Sequence, residues 1–219
     1  MDNITKPTIS ELFSTSWKIF LKNIWLLIGF YAGYLIISFI FNLISSATAV
    51  TIIIPLLINL IMLAVGIIFN MGFAQTCLNA VDEKELSFDS FTQHIQKLWF
   101  AFVGSIFMGV IVGIGMILLI IPGLWLATRL QFYIYFIIEE NRGPIKAIQQ
   151  SWEMTKGQDS FLLLWLLAAI VIVIVGFICL GIGAIVSVIL ISISSACLFR
   201  YFRSPKLQEQ AEEAINEQF

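Results

Sequence analysis

Charge is what this chain has least of. Fourteen Asp and Glu and 12 Lys and Arg make up 12% of 219 residues, about half the usual share. A water-soluble globule needs a polar coat, and these residues are too few to build one. A near-balanced net charge of −2 gives no basic field for nucleic acid. One histidine and three cysteines leave no metal-ligand spacing and no disulfide framework. Catalytic residues, a metal and a cofactor are therefore not expected. Cys77, Cys179 and Cys197 all fall in apolar stretches and read as small apolar fillers.

Apolar residues make up 59% of the chain and mean hydropathy is +0.96, which also excludes a disordered chain. Asn23 to Val81 carries no charge, Leu98 to Ile138 only Arg129, and Ser160 to Phe199 none. One crossing of the ~30 Å hydrocarbon layer needs about 20 apolar residues, so each run holds two crossings. Ser45–Thr48, Pro122-Gly123 and Gly181-Ile182-Gly183 are the expected turns. Pro55 is expected to kink the second helix. Barrel strands alternate polar and apolar residues, and these runs do not.

The spacing thus predicts an all-α integral membrane protein of six transmembrane helices in three hairpins, about 24–80, 99–138 and 160–202. Residues 1–205 form one domain and 206–219 an acidic cytoplasmic tail. The N-terminus, residues 82–97, residues 139–159 and the C-terminus then share one side. All Lys and Arg except Arg129 lie there, so the positive-inside rule places both ends in the cytoplasm. Met1–Pro7 is short and polar, and no cleavable signal is expected.

An amphipathic interfacial elbow helix is expected before each hairpin, at about 8–22, 87–98 and 144–156. Thr8-Ile9-Ser10-Glu11 has capping-box form. Ser87 is a cap candidate, and Pro144 and Gly157 bracket the third elbow. Such helices lie in the headgroup plane. The units repeat weakly: a shift of 135 residues lays Ser16-Trp17 on Ser151-Trp152. Gly29/Gly33 and Gly109/Gly113 are G-x-x-x-G pairs, expected to bring helices together. His94 reads as a solvated surface histidine.

Arg129 stands about 10 Å past Pro122 and 15 Å before Glu139 at 1.5 Å per residue. Near the midplane an Arg costs at least ~2.5–3.5 kcal/mol. By this count no carboxylate shares its depth, and its neutral candidates are Asn59, Asn70, Gln75 and Gln131. An Arg without an anionic partner suits a phosphate or carboxylate ligand. The alternative is a structural tie or a snorkelling side chain.

The stretch Ile121-Pro122-Gly123 through Arg129, then Glu140, a turn, and Ala147-x-x-x-Ser151-Trp152-x-x-Thr155-x-Gly157 carries a resemblance. It resembles a broad bacterial and archaeal group that includes the YciC-like membrane proteins and the membrane domain fused to some glycerophosphodiester phosphodiesterases. The resemblance is close over residues 121–157 and maps Pro122, Gly123, Arg129, Glu140, Ser151, Trp152 and Gly157 onto group positions. It implies a six-helix bundle with interfacial elbows in the cytoplasmic membrane of a prokaryote. It does not imply phosphodiesterase activity, which belongs to a soluble barrel with paired histidines and metal-binding carboxylates.

The function expected from these features is a non-enzymatic multi-pass protein that binds or organises anionic lipid. Its partners are membrane lipids, and another membrane protein or a second copy is open. One alternative is a small transporter or the membrane subunit of one, given Pro55, Pro122 and the buried charge. Another is an assembly or immunity factor that docks a membrane protein through its glycine faces or its tail.

Overall fold

A computed structural model describes residues 8–48, 53–92, 94–178 and 182–216. Cys179 and Gly181, the latter from the expected third turn, lie outside the described residues. Every regular element in the description is helical. Six helical stretches are long and apolar enough to cross a membrane: Ile24–Ala47, Ile53–Val81, Asp89–Leu118, Ile120–Glu140, Asp159–Ile178 and Gly183–Ser204.

α1 (Ile9–Lys22) starts where the capping box predicts. Thr8 Oγ1 accepts the Glu11 N–H at 3.2 Å, and Glu11 accepts the Thr8 N–H at 2.8 Å. The Thr8 N–H, and after it the Thr8 hydroxyl beside the carboxylate, hold the Glu11 carboxyl below its ordinary value. Leu12, Ser16 and Phe20 are buried, while Trp17 and Leu21 stay exposed. α2 (Ile24–Ala47) ends at the expected Ser45–Thr48 cluster, with Thr48 as cap. α3 (Ile53–Val81) follows. Pro55 is the third residue of α3, and residues 49–52 ahead of it lie outside the described residues.

The second expected elbow is not one helix. It is a four-residue α4 (Asp89–Thr92) and a 3₁₀ turn, Ile95–Lys97, leading into α5 (Leu98–Leu118). His94, expected in solvent, is half-buried, with its Nε2 3.2 Å from Gln75 Oε1.

The turn after α5 falls at Leu119, ahead of Pro122-Gly123. A proline ring clashes with the carbonyl four residues back. For Pro122 that residue is Leu118, the last of α5. Leu119 is extended, at φ −161° and ψ 139°, and α6 (Ile120–Leu130) takes Pro122 into its first turn. Gly123 then crosses α5 so closely that a Cβ there would lie 2.6 Å from the Met116 nitrogen.

α6 gives way at Gln131-Phe132 to α7 (Tyr133–Glu140). Tyr133 to Ile138 are all buried, so α7 is enclosed on every face. Asn141, at φ 52°, caps α7 and turns the chain into α8 (Pro144–Met154). α9 (Asp159–Ile178) and α10 (Ile182–Asn216) complete the chain. α10 thus runs through most of the expected tail at 206–219.

Phe132, Ile137, Ile138, Leu198 and Phe199 form the centre, with Leu78, Leu162 and Trp165 around them. Trp165 Nε1 donates to Ser194 Oγ at 2.7 Å within this core. The outer faces of α2, α3, α5 and α9 carry exposed Leu, Ile, Val and Phe, a surface suited to hydrocarbon.

The expected G-x-x-x-G contacts are not made among the described residues. A Cβ at Gly29, Gly33, Gly109 or Gly113 meets nothing within 4 Å. Close approach falls instead on Gly72, Gly104, Gly115, Gly123 and Gly176. Each sits where one residue opposes another helix or a ring, and paired spacing does not select such positions.

Candidate functional site

The buried cation is not alone. The chain reverses after α8 at Gly157, whose φ of +79° suits a residue without Cβ. That turn delivers Asp159, the first residue of α9, to Arg129. Nε donates to Oδ1 at 2.7 Å and Nη2 to Oδ2 at 2.7 Å. The pair is bidentate and charge-assisted. Trp125 Nε1 adds a bond to Oδ1 at 2.9 Å. The guanidinium lies between two indoles, 4.6 Å from the Trp125 ring centre and 4.4 Å from that of Trp152, in cation–π geometry. Arg129 is 5% exposed, whereas the Asp159 side chain is 44% exposed.

The depth expected for Arg129 requires one straight helix from Pro122 to Glu139, whereas the crossing is broken at Gln131-Phe132. A carboxylate does reach Arg129, so no vacant anion site remains at that guanidinium. The same break frees a carbonyl. Arg129 O, at the end of α6, accepts the Ser151 hydroxyl at 2.7 Å, as helix ends require. Ser151 is fully buried, and Thr155 Oγ1 donates to Ser151 O at 2.8 Å. The motif residues therefore work together. Gly123 allows the α5 crossing, Arg129 and Trp152 stack, Ser151 caps α6, and Gly157 returns the chain to Asp159.

Glu140 belongs to a second cluster. Arg200 on α10 binds Asp82 at the end of α3 through Nε and Nη2, at 2.8 and 2.7 Å. Its Nη1 donates to Glu139 at 2.8 Å. Arg203 bridges Glu139 at 2.6 Å and Glu140 at 3.0 Å, and Glu140 also accepts from Arg142. Lys84 caps the chain of charges on Asp82 at 3.0 Å. Burial raises the Asp82 carboxyl, but Arg200 and Lys84 outweigh it and hold the group below its ordinary value. The cluster ties the ends of α3 and α7 to α10.

Asp82, Asp159, Arg200 and the bond Trp125 donates to Asp159 were missed by sequence reasoning, although a signal was present. Asp82, Glu139, Asp159 and Arg200 are four of the six charged residues that bound the three apolar runs, the others being Lys22 and Lys97. An even number of crossings returns those edges to one end of the bundle.

The neutral candidates separate. Asn70 and Gln131 line one cavity of about 320 Å³, with Ser195, Ser192, Tyr133 and Tyr135 on the same wall. Ser195 Oγ approaches Gln131 Oε1 at 3.4 Å, and Gln131 Nε2 donates to Thr128 O at 3.0 Å. Gln75 is elsewhere, donating to Asn79 Oδ1 at 2.8 Å beside His94. Asn59 is exposed on α3, about three turns from Asn70. Among the described residues no hydrogen bond joins these four to the Arg129 side chain.

Compared with known proteins, the chain gives no match among curated proteins and none among solved structures. Residues 102–199, from the start of α5 to the centre of α10 and including the Arg129–Asp159 pair, match the family model described as the membrane domain of glycerophosphoryl diester phosphodiesterase, and the six apolar helices of the chain fit that membrane family.

Proposed function

We propose that the chain is a non-catalytic, multi-pass protein of the cytoplasmic membrane that holds a lipid within its helical bundle. Both ends face the cytoplasm, with α1 and α8 as elbows in the headgroup layer. The distribution of Lys and Arg supports this orientation. Contacts such as Arg200–Asp82 and Lys22–Glu83 support it further, because they gather the charged ends of different spans. Trp17, Trp25, Phe88 and Trp99 are exposed near that same end, as an aromatic belt would be.

The carrying observation is the cavity at Gln131. It sits where a membrane span is broken, and it adjoins an apolar groove of about 470 Å³ between α6, α9 and α10. Both volumes are within the ~300–1,000 Å³ of ordinary ligand sites. A polar recess beside an apolar groove matches a molecule with a polar head and a hydrocarbon tail. Arg129 is a tie in this reading, because Asp159 already supplies its counter-charge.

Native mass spectrometry of protein released from nanodiscs of native lipid tests the proposal. A retained lipid, enriched over its share of the bilayer, is expected. Adducts that only mirror bulk composition would refute it.

A further inference from the structure

The two hollows at Gln131 differ in chemistry in a way that names their occupant. They share Met108, Gln131 and Ile191 as lining. One carries the amides of Asn70 and Gln131 and the hydroxyl of Ser195. The other is lined almost wholly by hydrocarbon and the Trp165 ring. Among the described residues no charged side chain lines either one. A phosphate or ammonium head placed here would be desolvated without a counter-charge, which is costly.

The uncharged groups have bonding capacity to spare. Asn70, exposed on α3 at the mouth of the cavity, makes no hydrogen bond among the described residues, leaving two donors and an acceptor open to a ligand. Gln131 commits one N–H to Thr128 and keeps a second. These groups complement ester carbonyls, which accept, and a free hydroxyl, which donates. We infer that the site takes an uncharged glycerolipid of the diacylglycerol class, its ester and hydroxyl head at Asn70 and Gln131 and an acyl chain in the α6–α9–α10 groove. This rests on the lipid-holding reading above and adds the chemistry of the head.

The test uses the full chain in nanodiscs of phosphatidylethanolamine and phosphatidylglycerol with a minor share of dioleoylglycerol, followed by native mass spectrometry. Dioleoylglycerol should be enriched on the wild type. Asn70→Leu should lower that enrichment roughly tenfold, the effect of one or two lost hydrogen bonds. Asn70→Gln, which keeps the amide, should restore most of it. Ala169→Trp, which fills the groove and leaves the head contacts alone, should lower it as well. Enrichment of phosphatidylglycerol, with dioleoylglycerol at its bulk share, would overturn the inference and leave the lipid-holding reading intact. So would dioleoylglycerol binding indifferent to Asn70→Leu and Ala169→Trp. No enriched lipid of any kind would remove both.

Discussion

Asp159→Asn is the sharpest perturbation of the Arg129 site. The substitution keeps the shape and the oxygen that accepts from Trp125, and removes only the charge opposite Arg129. Breaking a fully buried ion pair costs ~3–5 kcal/mol, and an exposed pair contributes at most about 1 kcal/mol. Arg129 is 5% exposed and the Asp159 side chain 44%, so the pair falls between those limits. A loss of about 2 kcal/mol follows, after discounting for the solvent at Asp159. For a chain of this size that is a fall of about 4–8 °C in Tm. Thermal unfolding in mild detergent reads it, for the wild type, Asp159→Asn, Arg129→Gln and the double variant. The two single changes should not add, and the coupling should be about 1–3 kcal/mol. A coupling under about 0.5 kcal/mol would refute the pairing and return Arg129 to the role of a free buried cation.

Four further outcomes follow from the same geometry. Gly123→Ala should destabilise by about 1–3 kcal/mol through overpacking against Met116, while Gly33→Ala, with open space around it, should be neutral or stabilising by up to about 1 kcal/mol; thermal melts of both decide. Ser151→Ala should cost about 1 kcal/mol, because it leaves the buried Arg129 carbonyl only the long 3.5 Å contact from Thr155 Oγ1, read as a lower Tm. Arg200→Ala should lower Tm more than Lys22→Ala, since Arg200 serves Asp82 and Glu139 together and Lys22 meets Glu83 in solvent. The Asp82 carboxyl is held below its ordinary value, so its stabilisation is present above the unfolded carboxylate value near pH 4 and is lost as pH falls through the folded value; Tm measured from pH 7 to pH 3 should fall, and less steeply in Arg200→Ala.

The six spans were legible because charge is excluded from hydrocarbon over a length set by the bilayer, and of the expected turns the Ser45–Thr48 cluster does end α2. The capping box at Thr8–Glu11 and the start of α8 at Pro144 were legible because both are local. What failed was distance along a broken crossing. Arg129 was placed by counting residues from Pro122, and the count assumed a continuous helix. No residue type at Gln131-Phe132 announces a break. The turn forms there because Ser151, 22 residues later, takes the carbonyl that a continued helix would have used. The glycine pairs failed for a related reason. Whether a helix face is covered depends on the order of helices around the bundle, and spacing within one helix does not encode it.

The interruption between α6 and α7 links the Arg129–Asp159 tie to the cavity at Gln131. A broken helix in a membrane survives only where its freed polar groups find partners. On one side of the break, Arg129 O is taken by Ser151, and the same turn of α8 brings Trp152 onto the guanidinium that Asp159 holds. On the other side Gln131 is left at the wall of the cavity, with Asn70 facing the same space. The charged tie and the uncharged recess are thus consequences of one discontinuity. A protein that needed only to span the bilayer would gain stability from a continuous fourth crossing. Keeping the break, with a dedicated cap on one face and spare amide donors on the other, is better explained by the recess having an occupant than by packing alone.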